Sequence, residues 1–123
     1  MSFWPSATSI SRTARGLAYA RGRIGVAAPG RPPALRLVLG HAVGFSKEAF
    51  APTLVALGRI LEQRRCDATW IALDFSGHGA SREPPPEPSK WNEHHAEEII
   101  EVLRDEALHE SEVGATLPPP PPL

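Results

Sequence analysis

Two short apolar runs stand out in the pattern of hydrophobic and polar positions along the chain. Leu35–Leu39 is apolar and partly β-branched and ends at Gly40, and Ala68–Leu73 is nearly unbroken and ends at Asp74. Runs of this length are typical of strands that are covered on both faces, as in a parallel sheet. The pattern therefore predicts two buried strands.

The stretch between the two runs has the spacing of an amphipathic helix. Pro52 suits the start of that helix, because proline is tolerated in the first turn and not in the interior. Apolar side chains then recur on one face, at Leu54, Leu57 and Leu61. We expect a helix over Pro52–Glu62 that bridges two adjacent parallel strands in a right-handed βαβ unit.

A second helix is predicted after a proline-rich turn, from about Lys90 to His109. One stripe of this segment is apolar, at Ala96, Ile99, Ile100, Leu103 and Ala107. A second set of positions is acidic and is expected to face water, at Glu93, Glu97, Glu101 and Asp105. The apolar stripe is therefore the face that we expect to pack inward.

The other segments carry weaker signals. Residues 1–33 are weakly patterned, with turns marked by glycine and proline and a candidate edge strand around Leu17–Ile24. Residues 34–110 hold the predicted strands and helices and form the predicted domain. Residues 111–123 form a proline-rich tail that suits neither helix nor central strand, and Gly114–Leu123 is expected to pack against nothing.

Composition narrows the classes of function. The formal net charge is −1, which argues against a nucleic-acid partner, and no apolar run approaches the ~20 residues that span a bilayer. The first 47 residues contain basic side chains but no acidic ones. All 14 acidic residues therefore lie in the remainder of the chain. Because Cys66 is the only cysteine, no internal disulfide forms and the cytoplasm fits best. The acid-free start, Met1–Gly25, leaves a mitochondrial transit peptide as the less favoured reading.

Each predicted strand is followed directly by a loop motif. The first is His-Ala-Val-Gly-Phe at residues 41–45, and the second is Asp-Phe-Ser-Gly-His-Gly-Ala-Ser at residues 74–81. The carboxyl ends of parallel strands are where open α/β sheets place their ligands. Both motifs are therefore expected beside one cleft.

The order and separation of these motifs resemble the α/β-hydrolase superfamily of the serine-hydrolase type. In that family a His-Gly-type loop follows the third strand, and an Asp-x-x-Gly-His-Gly-x-Ser turn follows the fourth. The second motif matches at all five fixed positions, which are Asp74, Gly77, His78, Gly79 and Ser81. The resemblance covers roughly Leu35–Leu103. It implies the α/β class and a partial α/β-hydrolase fold of N-terminal strands, a βαβ unit and a following helix, truncated before the nucleophile elbow.

The resemblance also implies roles for the two motifs. The loop after the third strand supplies a backbone N–H to the oxyanion hole, and by position Val43 is the donor. That oxyanion-hole loop comprises His41, Ala42, Val43 and Gly44. Ala42 replaces the glycine of the family's pair, and Gly44 is expected to relieve strain in the loop.

The second motif is implied to be architectural. Gly77 and Gly79 suit a tight turn, and His78 is expected to hydrogen-bond across it to Asp74 or to a neighbouring carbonyl. His41 is likewise expected to brace its loop rather than to act as a base.

No Gly-x-Ser-x-Gly elbow occurs in the chain, because Gly79–Glu83 lacks the last glycine and the strand–turn–helix context. In the family the nucleophile follows the fifth strand, and the acid and the catalytic histidine come later. No catalytic residue is therefore carried onto this chain. We expect an inactive N-terminal fragment whose complete relatives hydrolyse ester or similar bonds. The alternative is a non-enzymatic, truncated pseudo-hydrolase that acts as a binding or interaction protein.

Other ligands find little support in the sequence. His94 and Glu98 lie one helical turn apart with His95 and Glu97 beside them, but two ligands on a solvent-facing helix make no metal site. A hydrated polar face is the favoured interpretation. No metal and no cofactor are expected, since phosphate-binding glycine patterns are absent from the sequence.

The expected partners follow from the same features. An ester-like small molecule is expected only if a C-terminal part completes the site. In the family's strand order the third strand lies between the fourth and a fifth. The resemblance therefore implies that Leu35–Leu39 presents an unpaired apolar edge in this chain, which predicts self-association. The proline tail leaves open a role as a polyproline ligand for an aromatic groove.

Overall fold

The computed structural model describes residues 3–82, 84 and 86–112, with side chains described up to residue 109. Within these ranges the elements are β1 (Ser9–Arg12), β2 (Ala18–Gly25), β3 (Leu35–Gly40), α1 (Ala51–Gln63), β4 (Asp67–Leu73) and α2 (Trp91–Glu112), with short 3-10 turns at Lys47–Phe50 and Pro88–Lys90. The prediction for Gly114–Leu123 concerns residues outside the described ranges.

The four strands form one mixed sheet in the order β1-β2-β4-β3. β3 and β4 are parallel neighbours, with Leu37 opposite Trp70 and Val38 opposite Ile71. β2 is antiparallel to both β1 and β4. The predicted pair of adjacent parallel strands bridged by a helix is therefore confirmed.

β2 confirms the strand expected around Leu17–Ile24, but its expected place at the edge of the sheet is wrong. It lies between β1 and β4, and its residues Ala18, Tyr19 and Ala20 are fully buried. Two arginines of β2 pair with acids that are distant in the chain, since Arg21 pairs with Glu106 and Arg23 with Asp67. Such pairing allows basic side chains on an interior strand.

α1 packs on one face of the sheet and begins with proline in its first turn, as predicted. Leu54 and Leu61 are buried in a cluster with Ile24 and Trp70. Gly58 lies between them on the buried face, and a Cβ there would sit 3.4 Å from the Cβ of Ile24. A Cβ at this position would make ordinary van der Waals contact with Ile24, so α1 packs directly on β2.

α2 covers the opposite face, where Val102 is buried with Leu17, Tyr19, Leu73 and Phe75. The predicted orientation of this helix is wrong in part. Three of its acids point inward, because the segment 13–21 presents donors to them. The contacts are Thr13 Oγ1 to Glu101 (2.6 Å), Tyr19 Oη to Asp105 (2.6 Å) and Arg21 Nη1 to Glu106 (2.7 Å).

The outer edge of β3 carries no further strand within the described part of the chain. Leu35 and Val38 on this strand are 47% and 43% exposed. On the α2 side, a cavity of about 360 Å³ opens between Val38, Ile71 and Leu103. The described residues therefore leave part of the sheet uncovered, and the prediction of a buried strand is wrong for β3. None of the described helices is both long and apolar enough to cross a membrane.

Candidate functional site

The loop after β3 and the turn after β4 lie side by side, because β3 and β4 are parallel and end at the same edge of the sheet. The imidazole rings of His41 and His78 are 4.9 Å apart between centroids. Phe75 contacts the His41 ring edge-on at 5.0 Å. The two sequence motifs thus meet at one site.

Both ring nitrogens of His41 are occupied by backbone groups. Its Nε2 accepts a hydrogen bond from the Phe75 N–H (3.0 Å), which requires that this nitrogen carries no proton. Its Nδ1 then carries the proton and donates to the Ala42 carbonyl at 2.8 Å. His41 is buried, at 8% exposed. Its two hydrogen bonds link the start of the loop to the turn after β4.

The candidate oxyanion loop is exposed beyond His41. Phe45 N–H donates to the Ala42 carbonyl (3.0 Å), which closes a tight turn. Gly44 has a φ of +87°, whereas Ala42 is not among the described residues with positive φ. The left-handed conformation therefore falls on Gly44. Within the described residues nothing accepts a hydrogen bond from the Val43 N–H.

The turn at residues 74–81 is wound around the carboxylate of Asp74, which is fully buried. Ala80 N–H donates to its Oδ2 at 3.0 Å. A Cβ at Gly79 would overlap this carboxylate, and Gly79 has a φ of +50°. Gly77 also has positive φ, at 76°. Glycine is needed at position 79 both for the backbone conformation and for the space.

The hydrogen-bonding groups of Ser81 and His78 are directed at the backbone. Ser81 Oγ donates to the Asp74 carbonyl (2.6 Å) and accepts from the Ala18 N–H (2.9 Å). His78 Nδ1 donates to the Ser76 carbonyl at 3.0 Å and not to Asp74. Ser81 therefore joins β2 to the turn, and only the Nε2 of His78 has no described hydrogen-bond partner.

Lys47 is a site residue that the sequence reasoning missed. Its side chain is 3% exposed and its Nζ lies 2.6 Å from Asp74 Oδ2 and 2.9 Å from Glu48. Its backbone N–H donates to Asp74 Oδ1 at 2.7 Å. The available signal was indirect, since an Asp at the end of a buried strand needs a counter-charge, but nothing in the sequence locates that charge.

Glu98 was also missed, because the interpretation of its helix turn as a hydrated polar face is wrong here. Glu98 is 4% exposed and accepts from the N–H and Oγ of Ser76 at 3.1 and 3.2 Å. The Nε2 atoms of His94 and His95 each lie 3.9 Å from its carboxylate. Across the described residues, no group of three or more side chains is arranged to hold a metal ion.

His95 stacks on Phe75 with ring centroids 4.2 Å apart. Burial lowers the pKa of His95 below its usual value, and the neighbouring imidazoles of His94, His78 and His41 lower it further. Neutral imidazole is therefore the form that this packing favours.

Cys66 lies away from the site. It directly precedes β4 and is half-buried. The amino end of β4 is the opposite end from the turn at residues 74–81. A thiol at that end of the sheet is remote from the candidate oxyanion loop.

Comparisons with known proteins bear on the fold. No family model matches the sequence, and no curated protein matches it. The chain is similar in structure to the tetrameric haloalkane dehalogenase DpaA from Paraglaciecola agarilytica NO2, with a TM-score of 0.54 at 15% sequence identity. The fold is a partial α/β-hydrolase fold. The match covers 85% of this chain and 33% of the dehalogenase.

A hydrolase from Pseudomonas aeruginosa PA01 is a second similar structure. It is 24% identical, has a TM-score of 0.42, and matches over 80% of this chain and 34% of its own. The chain thus spans about a third of the length of each of these two solved structures.

Proposed function

We propose that the chain is the N-terminal part of an α/β-hydrolase-type enzyme and that residues 41–44 are its oxyanion-hole loop. The observation that carries the proposal is the Val43 N–H, which has no acceptor among the described residues and follows β3 at its carboxyl end. A backbone donor aimed at a developing oxyanion lowers the barrier by roughly 3 kcal/mol. An ester-like small molecule is the substrate class that we propose for the completed site.

The 123 residues alone are proposed to be inactive, because hydrolysis also needs an activated nucleophile. The hydroxyls of Ser76 and Ser81 are held by Glu98 and by the backbone. The Nε2 of His41 accepts from a backbone N–H and offers no lone pair to a substrate or water. The nucleophile, the acid and the catalytic histidine are proposed to come from a segment that is not in this sequence.

The cytoplasm is the compartment that we propose, with mitochondrial import as the alternative. The single cysteine, Cys66, supports a reducing environment.

Extension of the chain tests the proposal. The coding sequence downstream should contain a Gly-x-Ser-x-Gly segment, and a chain extended through it and through a later acid and histidine should cleave an activated aryl ester with saturable kinetics. In that extended chain Val43→Pro deletes the N–H and should lower kcat about 100-fold. Val43→Ala is the matched control, because it keeps the N–H, and should change kcat little.

The 123-residue chain should show no saturable turnover of the same ester. Imidazole cleaves such esters slowly without any site, so His41→Ala and His78→Ala variants provide the background rate. Saturable turnover that one of these substitutions abolishes would contradict the proposed inactivity. Equal kcat values for Val43→Pro and Val43→Ala in the extended chain would contradict the role of the loop.

A second candidate function is binding through self-association, as expected of a non-enzymatic pseudo-hydrolase. It is favoured by the outer edge of β3, where Leu35 and Val38 are exposed and no further strand pairs within the described residues. An unpaired apolar edge is a template for strand addition. The proposed partner is a second copy of the chain.

A further inference from the structure

We propose that Lys47 is a positioning residue of the candidate oxyanion loop, and that its buried ammonium group fixes where residues 41–46 lie relative to the turn after β4. The inference rests on the proposed function of that loop. Lys47 lies outside both sequence motifs, which cover residues 41–45 and 74–81.

The loop has few contacts of its own that hold it in place. Val43 and Phe45 are 54% and 60% exposed, so apolar packing does not anchor them. The hydrogen bond from Phe45 N–H to the Ala42 carbonyl lies within the loop and sets its shape, not its location. Its location is set at the two ends, by His41 and by Lys47.

Lys47 holds its end of the loop through two different groups. Its backbone N–H donates to Oδ1 of Asp74 at 2.7 Å, and its Nζ donates to Oδ2 at 2.6 Å. Glu48 also approaches the ammonium group, at 2.9 Å. An ammonium group that is 3% exposed is costly to bury unless it is paired, so this side chain is stable only where it meets Asp74.

The same carboxylate sets the shape of the turn. Oδ2 of Asp74 accepts from the Ala80 N–H at 3.0 Å, and the carboxylate occupies the space that a Cβ at position 79 would take. Asp74 is therefore a shared reference point for the turn and for the loop. Val43 lies only four residues before Lys47. A displacement of Lys47 therefore also displaces the Val43 N–H.

The test is hydrogen–deuterium exchange of the 123-residue chain, read by mass spectrometry in peptides that cover the loop and β4 separately. Lys47→Met keeps the length of the side chain and deletes its charge. Arg23→Met is the matched control, because it deletes another cation bound to a buried carboxylate, that of Asp67, at the amino end of β4. Hydrogen–deuterium exchange of these two variants requires no enzymatic activity.

Lys47→Met should speed exchange in the loop peptide at least tenfold more than in the β4 peptide, whereas Arg23→Met should show no such loop-specific increase. Should Lys47→Met fail to fold, Lys47→Met combined with Asp74→Asn is compared with Asp74→Asn alone by the same criterion. The pair leaves no uncompensated buried charge, and the single variant accounts for the loss of the carboxylate from the turn.

A second readout is the ¹⁵N signature of the His41 imidazole. Its Nδ1-protonated tautomer should give way to an average of both tautomers in the Lys47 variant and stay unchanged in Arg23→Met. A general stabilising role would affect the loop and β4 equally and leave the tautomer intact in the folded fraction, and that result would overturn the proposal. Failure of the extended chain to hydrolyse esters bears on the proposed function alone.

Discussion

Ser81 is a residue whose hydroxyl is used twice, as donor to the Asp74 carbonyl and as acceptor from the Ala18 N–H. At the scale of single residues, much of the site is built from such buried polar links. Glu98 and Lys47 act in the same way on Ser76 and Asp74. These links join elements that are far apart in the chain.

Ser81→Ala should lower the free energy of unfolding by about 1–3 kcal/mol, because it leaves the Ala18 N–H and the Asp74 carbonyl without a partner. Chemical denaturation measures this loss. Ser89→Ala is the control, since Ser89 is exposed, and should change stability by less than about 0.5 kcal/mol. Equal effects of the two substitutions would contradict the role given to the Ser81 hydroxyl.

Acid should destabilise the chain through His95. Its pKa is lowered in the folded state by burial first and by nearby imidazoles next, so the unfolded state binds more protons. Its contribution to stability is then complete above about pH 6.5 and is lost as the pH falls below that value, with a slope of at most about 1.4 kcal/mol per pH unit. Denaturation curves between neutral pH and about pH 5 measure this.

His95→Phe should flatten that slope, because the aromatic stack on Phe75 is kept and the titrating group is removed. His109→Gln, at the far end of the same helix, should retain the loss of stability in acid. A slope that His95→Phe leaves unchanged would assign the acid sensitivity to another group.

The sequence predicted the backbone of the site and not its buried charges. Residues 41–45 and 74–81 were recognisable because each motif follows an apolar run directly. The bond from Lys47 to Asp74 spans 27 residues and that from Ser76 to Glu98 spans 22. A Lys in a polar loop and a Glu in a charged helix turn have the local pattern of solvated residues, and only the tertiary structure supplies their partners.

At the scale of elements, β3 and β4 were predictable from short apolar runs, and α1 was predictable from apolar side chains at helical spacing. α2 was predictable as a helix, but its inward face was not. Its apolar stripe suggested one orientation, whereas Glu101 and Asp105 accept bonds from Thr13 and Tyr19. A periodicity argument counts every acid as solvent-facing, and that assumption fails where another element offers donors.

The docking of α2 should be visible in the titration of Tyr19, the only tyrosine. Burial raises its pKa well above the usual value of about 10, and the hydrogen bond to Asp105 and the charge of Glu106 raise it further. As the pH is raised, tyrosinate absorbance should therefore appear only when the chain unfolds. Circular dichroism at the same pH values measures that unfolding. Asp105→Asn should bring the onset closer to pH 10, and an ordinary titration in the folded wild-type chain would contradict the contact.

At the scale of the whole molecule, α1 covers one face of the sheet and α2 covers part of the other. Among the described residues, no strand pairs with the outer edge of β3. Arg36 is the one cation within the exposed edge strand. Charged side chains on edge strands oppose pairing with another chain, whereas the exposed apolar side chains of Leu35 and Val38 near Arg36 favour such pairing. Because two apolar side chains stand against one charge, we predict that copies of the chain associate through this edge.

Sedimentation velocity should show concentration-dependent association of the wild-type chain. Val38→Lys should shift it toward monomer, because it places a charge on the open edge. Val26→Lys is the control, since Val26 is similarly exposed but lies outside β3. A monodisperse wild-type monomer with a cooperative melt above ~45 °C would contradict the prediction.

The hydrogen bonds between the segment 13–21 and the acids of α2 have a consequence for the order of folding. The bonds from Thr13, Tyr19 and Arg21 to this helix join residues 85 to 88 positions apart. Because closing so long a loop costs more entropy than pairing near neighbours, we expect the helix to dock late, after the sheet and α1 have formed. In native-state exchange α2 should then open as a unit of its own, with a smaller opening free energy than the sheet and with sensitivity to salt. Each such opening also releases Glu98 from Ser76, so access to the turn after β4 from this side is governed by helix undocking.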